Sequence, residues 1–379
     1  MTEFNHLPPA KEKRKRKSKR GQWVIVWLAL GLAISVGLVY LNAPRVMDAP
    51  QPTPTMEPLV VSMNAPVDAP LSASSVTAWG ERIAQVTWEG SALRWRVFEL
   101  DEGEDWEAEG GGSFLMAAPI VRADISADGA WLLVTVAHDD QSRTHLMRTD
   151  GKLSTWWVES NAAAFQPNST EAIIDQINGH LAYYALRENA IINTTLPSNV
   201  PRVQALALQG RRLVVLGSDV IVRYDNLTDP TTITRARLIT DELPDALALL
   251  PDGRAAVLTL SEVVVYDFQG GYQRYALPES ALQRANALIA SGASPRLAVL
   301  HTDGVTIIRL DDGSPLTPEA NQAAVTFWPI EGVKSAAFVD MFDLLVVSTS
   351  SGLHLMRDGQ IVTTLSDEWP MTPPEPSDR

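Results

Sequence analysis

The sequence predicts an all-β protein: a β-propeller of seven blades, preceded by one N-terminal transmembrane helix. Two observations predict the propeller. A unit of 40–48 residues recurs between about residues 76 and 367, and each copy contains short apolar strands separated by tight turns. An uncharged stretch of 19 residues near the N-terminus predicts the helix. Six or eight blades stay open, because the copies that begin near residues 76, 163 and 203 are weaker than the others.

Residues 1–21 form a basic tail. They hold eight Lys or Arg side chains against two Glu, a charge of +6, and the chain as a whole carries −14. The other 358 residues therefore carry −20. An acidic surface repels phosphates, so this balance argues against nucleic acid as a partner of the larger part.

Residues 22–42 are the predicted signal anchor. The uncharged stretch 23–41 is about 28 Å long as a helix, close to the thickness of the hydrocarbon core. Eight basic residues precede the stretch and only Arg45 closely follows it, an excess that places the tail in the cytoplasm and the rest of the chain outside. A cleaved signal peptide is the alternative, but the stretch is too long for one, and proline follows the small-residue sites at Ala43 and Ala49. This predicts a single-pass protein of the cytoplasmic membrane.

Residues 43–71 are predicted to be an extended linker. Seven prolines between residues 43 and 70 make it semi-rigid, with a reach of about 85 Å. Leu59–Met63 (LVVSM) is an apolar island within it that is able to add one strand to the following domain. The domain itself is predicted at 72–369, and 370–379 reads as a disordered tail.

The repeats carry matching turn chemistry. The best copies begin at Ala123, Leu247, Ala287 and Ala336, and all seven begin near residues 76, 123, 163, 203, 245, 287 and 335. Asp-Gly or Gly-Gly pairs recur between their strands and supply the positive φ that hairpins need. A β-sandwich also uses short strands, but it gives no reason for a period near 42 residues.

Two strings resemble known bacterial propellers of the WD-repeat-like kind. ISADGAWLLV and LLPDGRAAVL are similar to strand openings in the propeller of the periplasmic Tol translocation system. TDGKLSTW resembles the docking pattern of pyrroloquinoline-quinone-type propellers, which include a lipoprotein of the outer-membrane barrel assembly machine. The resemblance covers residues 76–367 and implies a fold, not an activity. Gly-His…Trp-Asp pairs and a lipobox cysteine are missing from the sequence.

The sequence offers little catalytic chemistry. It contains no cysteine, which excludes disulfides and thiolate sites. His138, Asp139, Asp140 and His145 have a spacing that suits a metal, but they fall in a predicted turn, where polar residues are expected. The acidic run 101–109 reads as a solvated hairpin. We therefore predict no catalytic residue, metal or cofactor. An enzyme stays an alternative, because lactonase-type propellers collect their metal ligands from separate blades.

Tryptophan supplies the candidate partner contacts. Trp328 and Phe327 are predicted in the stretch that joins the last two units, and Trp157 lies beside Trp156 on a strand, so the two rings point to opposite faces. Packing between blades is the alternative role for these rings. We expect Trp328, Phe327 and Trp157 to be the first residues to test for partner binding.

The expected function is a protein-binding scaffold or accessory subunit of a bacterial cell-envelope complex, anchored in the membrane and facing outward. The alternative is an extracytoplasmic enzyme or small-ligand sensor that uses the propeller channel. A propeller that signals inward is a third idea, but 21 cytoplasmic residues leave no room for an output domain. The sequence predicts no oligomeric state.

Overall fold

The computed structural model describes most of the predicted domain. It covers residues 73–365 except 101–104, 139–140, 152–155, 161, 167–168, 177, 188–189, 228, 230, 241, 279–284, 286 and 311–324. The predicted tail, signal anchor, linker and C-terminal tail lie outside these residues. Within the part that is described, no helix has the length and apolar character needed to cross a bilayer.

The described chain forms seven antiparallel sheets of four strands each, here called blades 1–7, and each blade uses four consecutive strands. Among the described residues, one 3-10 turn, Asp340–Phe342, follows the first strand of blade 7. Blade 1 contains β1 (Ala73–Trp79), β2 (Arg82–Glu89), β3 (Ala92–Leu100) and β4 (Trp106–Leu115); blade 2 contains β5 (Ile120–Ile125), β6 (Trp131–His138), β7 (Gln141–Arg148) and β8 (Trp156–Glu159); blade 3 contains β9 (Ala163–Phe165), β10 (Glu171–Gln176), β11 (His180–Arg187) and β12 (Ala190–Pro197). Blade 4 contains β13 (Ala205–Gln209), β14 (Arg212–Leu216), β15 (Val220–Tyr224) and β16 (Ile233–Arg237); blade 5 contains β17 (Ala246–Leu249), β18 (Ala255–Leu258), β19 (Glu262–Tyr266) and β20 (Tyr272–Ala276). Blade 6 contains β21 (Ala287–Ala290), β22 (Arg296–His301), β23 (Gly304–Arg309) and β24 (Val325–Pro329); blade 7 contains β25 (Ser335–Val339), β26 (Leu344–Thr349), β27 (Gly352–Arg357) and β28 (Gln360–Leu365).

The repeat pattern located the blades well. Their first strands begin at residues 73, 120, 163, 205, 246, 287 and 335, each within three residues of the predicted repeat start. The seven-bladed prediction is confirmed. The alternatives of six or eight blades are set aside, because the weak copies at 73, 163 and 205 each form a complete sheet.

Each pair of neighbouring blades shares its own apolar cluster. Seven clusters fill the six junctions between consecutive blades and the junction between blades 7 and 1. Val214 and Val215 of β14 show the principle: Val214 packs toward blade 5 and Val215 toward blade 3. Successive side chains of a strand point to opposite faces, and both faces of a blade are covered. Some second strands therefore contain continuous apolar runs instead of alternating, as in 213–216 of β14 and in β18.

The first strand of each blade is innermost and the fourth is outermost. First strands contact one another around the ring, including β1 with β25, whereas most residues of the described fourth strands are at least partly exposed. Because the strands alternate in direction, the turns after the first and third strands lie at one end of the ring, which we call the first-turn end. The turns after the second strands and the connections between blades lie at the opposite end.

A buried polar network joins blade 1 to blade 7. Arg96 Nε donates to Gln85 Oε1 at 2.8 Å, and Gln85 Nε2 donates to Ser348 Oγ at 2.9 Å. Ser74 Oγ lies 3.0 Å from Ser348 Oγ, and Ser335 Oγ lies 3.1 Å from Ser74 Oγ. Arg96 is only 2% exposed. Blades 1 and 7 exchange no strand, so the described ring is closed by side-chain contacts.

Candidate functional site

Two of the predicted partner-binding residues lie in a blade and not in a joining stretch. Phe327 and Trp328 belong to β24, the outermost strand of blade 6, where Trp328 pairs with Val305. Both rings are half-buried, and Trp328 packs against the cluster between blades 6 and 7. Their predicted position in the connection after blade 6 is wrong, because the chain from 311 to 324 precedes β24 and the connection begins only after Pro329.

Trp157, the third predicted contact, lies on β8, the outermost strand of blade 2. Its backbone pairs with His145 of β7, and that of Trp156 pairs with Leu146. The three residues are thus distributed over blades 2 and 6, and the structure does not bring Trp157 to the other two.

The histidines considered as metal ligands lie in strands. His138 ends β6, and His145 lies within β7, where it is buried. His301 and His354 are also buried, with His301 Nε2 2.9 Å from Thr306 Oγ1 and His354 Nδ1 3.0 Å from Thr364 Oγ1. Among the residues that the structure describes, no three His, Asp or Glu side chains come together as a metal site.

Four apolar side chains lie at the first-turn end of blades 1 and 7, and two of them, Trp106 and Phe342, are in contact. Trp79 ends β1 and is 47% exposed, and Met341, in the first turn of blade 7, is 66% exposed. The ring of Phe342 meets that of Trp106 edge-on, with centroids 6.1 Å apart. We call Trp79, Trp106, Met341 and Phe342 the seam patch. Aromatic rings and a methionine that are at least partly exposed are typical of a protein-binding surface.

The turn that presents Met341 is held firmly. Asp340 accepts hydrogen bonds from Gly292 N at 2.7 Å and Ser291 Oγ at 2.5 Å, both in the first turn of blade 6. Asp343 pairs with Arg296, and Arg357 Nη2 donates to Phe342 O at 2.9 Å.

Because the turn is fixed in this way, binding at Met341 requires little further ordering of the backbone, which favours affinity.

A second exposed apolar pair lies at the opposite end of the ring. Leu243, in the connection before blade 5, is 80% exposed, and Leu260, in the turn before β19, is 60% exposed. Glu242 holds the two segments together by accepting from Ser261 N at 3.2 Å and from Ser261 Oγ at 2.9 Å. Hydrogen bonds from the Thr259 hydroxyl and from Ser261 hold the pKa of Glu242 below its ordinary value.

The seam patch was not predicted from the sequence, because adjacent aromatic residues, Phe327-Trp328 and Trp156-Trp157, gave the stronger signal. A usable signal does exist. The first turns of blades 2 and 5 contain Asp128-Gly129 and Asp252-Gly253, whereas the same turn of blade 7 reads Asp-Met-Phe-Asp over 340–343. Met341-Phe342 does not favour a tight turn as Asp-Gly does, so the apolar pair indicates a role other than forming the turn.

A second missed feature is an arginine that begins the second strand in three blades: Arg82, Arg212 and Arg296. Arg212 Nη1 donates to Pro251 O at 3.1 Å, and Arg296 pairs with Asp343, so each reaches the first turn of the following blade. Arg212 and Arg296 therefore tie the first turns of blades 5 and 7 to the preceding blade, whereas Arg82 pairs with Glu99 and Glu109 of its own blade.

Comparisons with known proteins identify the fold. No protein-family model matches the chain, and no curated protein matches its sequence. A solved structure described as the WD40 repeats of RRP9 aligns with a TM-score of 0.52 at 12% identity, over 76% of this chain and 89% of that one. One described as U3-55K aligns with a TM-score of 0.53 at 13% identity, over 76% of this chain and 90% of that one. At such low identity the likeness speaks for architecture alone, and with the seven sheets it shows that this chain folds as a WD40-like β-propeller.

Proposed function

We propose that this chain is a propeller scaffold that binds another protein through the first-turn end of its ring. The observation that carries the proposal is the seam patch: Trp79 and Met341 are exposed, and Met341 stands on a turn fixed by three separate contacts. Large apolar side chains on a rigid surface are typical of the centre of a protein interface.

We further propose that the propeller stands outside the cytoplasm of a bacterial cell, held by a helix in residues 22–42 and spaced from the membrane by 43–71. The support is the sequence: a basic tail, an uncharged stretch of 19 residues and a proline-rich linker. In this arrangement the protein is an accessory subunit of an envelope complex. Trp328, Phe327 and Trp157 stay candidate contacts, although the half-buried Trp328 and Phe327 offer less surface than the seam patch.

Binding is tested by crosslinking in native membranes followed by co-purification of the full-length chain. Replacing Met341 by Glu and Trp79 by Ala should lower recovery of the partner at least tenfold, since loss of a central interface residue costs about 2 kcal/mol or more. Leu243→Ala, which removes an exposed apolar side chain at the opposite end, is the control. Equal loss with the control, or recovery unchanged in all variants, would exclude the seam patch as the binding surface.

The topology has a separate test, because the chain has no cysteine of its own. Single substitutions Ser18→Cys and Met47→Cys place one thiol on each side of the predicted helix. A membrane-impermeant maleimide should label only Met47→Cys in intact cells, and both variants after the membrane is broken. Labelling of Ser18→Cys in intact cells would refute the proposed orientation.

A further inference from the structure

Blade 7 ends in a strand whose outer edge is unusually exposed. β28 is hydrogen-bonded to β27 on one side and has no neighbour on the other among the described strands. Its first five residues are exposed, including Ile361 at 52% and Val362 at 57%. An apolar strand edge of this kind presents free N–H and C=O groups to any further strand.

β28 also lacks the protection that the other outermost strands carry. A charged side chain or a proline in an edge strand discourages further pairing. Each of the six other fourth strands contains one or the other: Glu107 and Glu109 in β4, Glu159 in β8, Pro197 in β12, Arg235 and Arg237 in β16, Arg274 in β20, and Pro329 in β24. β28 reads QIVTTL, with neither a charge nor a proline and with four β-branched residues.

The chain itself contains a segment that matches this edge. Residues 59–65 read LVVSMNA, the longest run without charge or proline between residues 43 and 72. Its seven residues are enough to lie along the six of β28. The C-terminal residues 366–379 follow β28 directly, but four acidic residues and four prolines make them unsuited to a strand.

The segment is within reach. β1 begins at Ala73 and packs beside β25 and β26 of blade 7. A strand outside β28 lies four strand spacings from β25, about 19 Å at 4.8 Å each. Eight peptide units separate Ala65, where the segment ends, from Ala73, and they span about 26 Å when extended, which exceeds this distance.

We infer that residues 59–65 add to β28 as a fifth strand of blade 7. The two ends of the propeller are then fastened to the same blade by main-chain hydrogen bonds. Only residues 43–58 are left free as a spacer, with a reach of about 50 Å instead of about 85 Å. The inference rests on the open outer edge of β28, on the residues of that strand and on the length of chain between the segment and β1. It does not depend on the membrane anchor or on the seam patch.

Cysteine crosslinking of the full-length chain tests the inference, since the protein has no other thiol. One cysteine replaces Thr363 or Gln360, which lie on either side of the bulge at Val362, and the second replaces each residue from Leu59 to Met63 in turn. Paired strands place opposite Cβ atoms about 5 Å apart, within reach of a disulfide. We expect intramolecular bonds at alternate positions of the scan, seen as a mobility shift that reduction reverses.

The matched control moves the first cysteine to Arg235, an exposed residue of the outermost strand of blade 4. Crosslinks as frequent with Arg235→Cys as with Thr363→Cys would overturn the inference, as would none at any position. Crosslinked dimers of Thr363→Cys alone would assign the edge to a second copy of the chain and overturn it too.

Hydrogen exchange gives a second readout that leaves the propeller sequence intact. Val61→Pro removes a backbone donor from the segment and should prevent its pairing. We expect at least tenfold faster exchange of the β28 amides that face outward, with the amides of β16 unchanged. Unchanged exchange in β28 would contradict the added strand.

Discussion

Gln85 is the residue on which closure of the ring depends most directly. It lies opposite Arg96 across β2 and β3, accepts from Arg96 Nε at 2.8 Å and donates to Ser348 Oγ of blade 7 at 2.9 Å. Gln85→Leu keeps the volume but removes both bonds. A hydrogen bond to a charged group contributes about 1.5–3 kcal/mol and a neutral one about 1, so we expect a loss of about 3 kcal/mol.

The loss should appear locally, at the junction between blades 7 and 1. About 3 kcal/mol corresponds to a roughly hundredfold larger opening constant, which native-state hydrogen exchange measures amide by amide. Exchange should rise in β1 and β25 and stay unchanged in β13 and β17, on the far side of the ring.

Gln85→Glu is the control, because a carboxylate still accepts from Arg96 while the serine hydroxyls rotate to donate to it. Its effect should be under about 1 kcal/mol. Adding Arg96→Met to Gln85→Leu should recover part of the loss, since an apolar pair leaves no buried charge without its acceptor. Equal costs for Leu and Glu at position 85, or a rise in exchange spread evenly over all blades, would refute the reasoning.

Three further predictions concern single sites. Gly129→Ala should cost about 3 kcal/mol in unfolding free energy, because φ is +72° and the new Cβ would overlap Val97 Cγ2, whereas Gly80→Ala, with φ +57° and open space, should cost about 1. Glu242 has a lowered pKa, so its hold on the 259–261 turn is complete above the ordinary carboxyl pKa and is lost as the pH falls through the lower folded value; the protection of the Ser261 amide, its exchange relative to an unstructured amide at the same pH, should fall there, and unchanged protection would contradict this. Trp328→Ala should lower stability by about 2 kcal/mol and Trp328→Phe by less, since the half-buried ring packs between blades 6 and 7; equal stability of all three proteins in denaturant unfolding would show that the ring contributes nothing there.

Local patterns made the propeller predictable. The period sets the number of blades, and Asp-Gly pairs mark turns such as 127–129 and 251–253, which lie between first and second strands as expected. These signals are short-range, because a hairpin is determined by residues that are close in sequence. The same reasoning misplaced Phe327 and Trp328. Fifteen residues separate β23 from β24, more than in the other turns, so the pattern of short turns did not indicate where β24 begins.

The contacts that define the site are long-range and left no such pattern. Gln85 and Ser348 are 263 residues apart, and nothing near either residue indicates the other. Met341 was recognisable only by comparing equivalent turns of different blades, once the blades were aligned. An exposed apolar residue in one turn is unremarkable until the other apolar residues at the same end of the ring, here Trp79 and Trp106, are known.

Forming the junction between blades 7 and 1 costs more chain entropy than forming any of the other six. Elsewhere a short connection holds consecutive blades together, but here the contacting strands β1 and β25 are about 260 residues apart in sequence. Closing a loop of that length costs about 5 kcal/mol in chain entropy, which side-chain contacts must offset. The apolar cluster supplies attraction without direction, whereas the bonds from Gln85 and Ser74 to Ser348, and from Ser335 to Ser74, form only when blades 1 and 7 dock in register. A blade docked one residue out of place would lose these bonds between buried groups, so the network selects the correct closure of the ring as well as stabilising it.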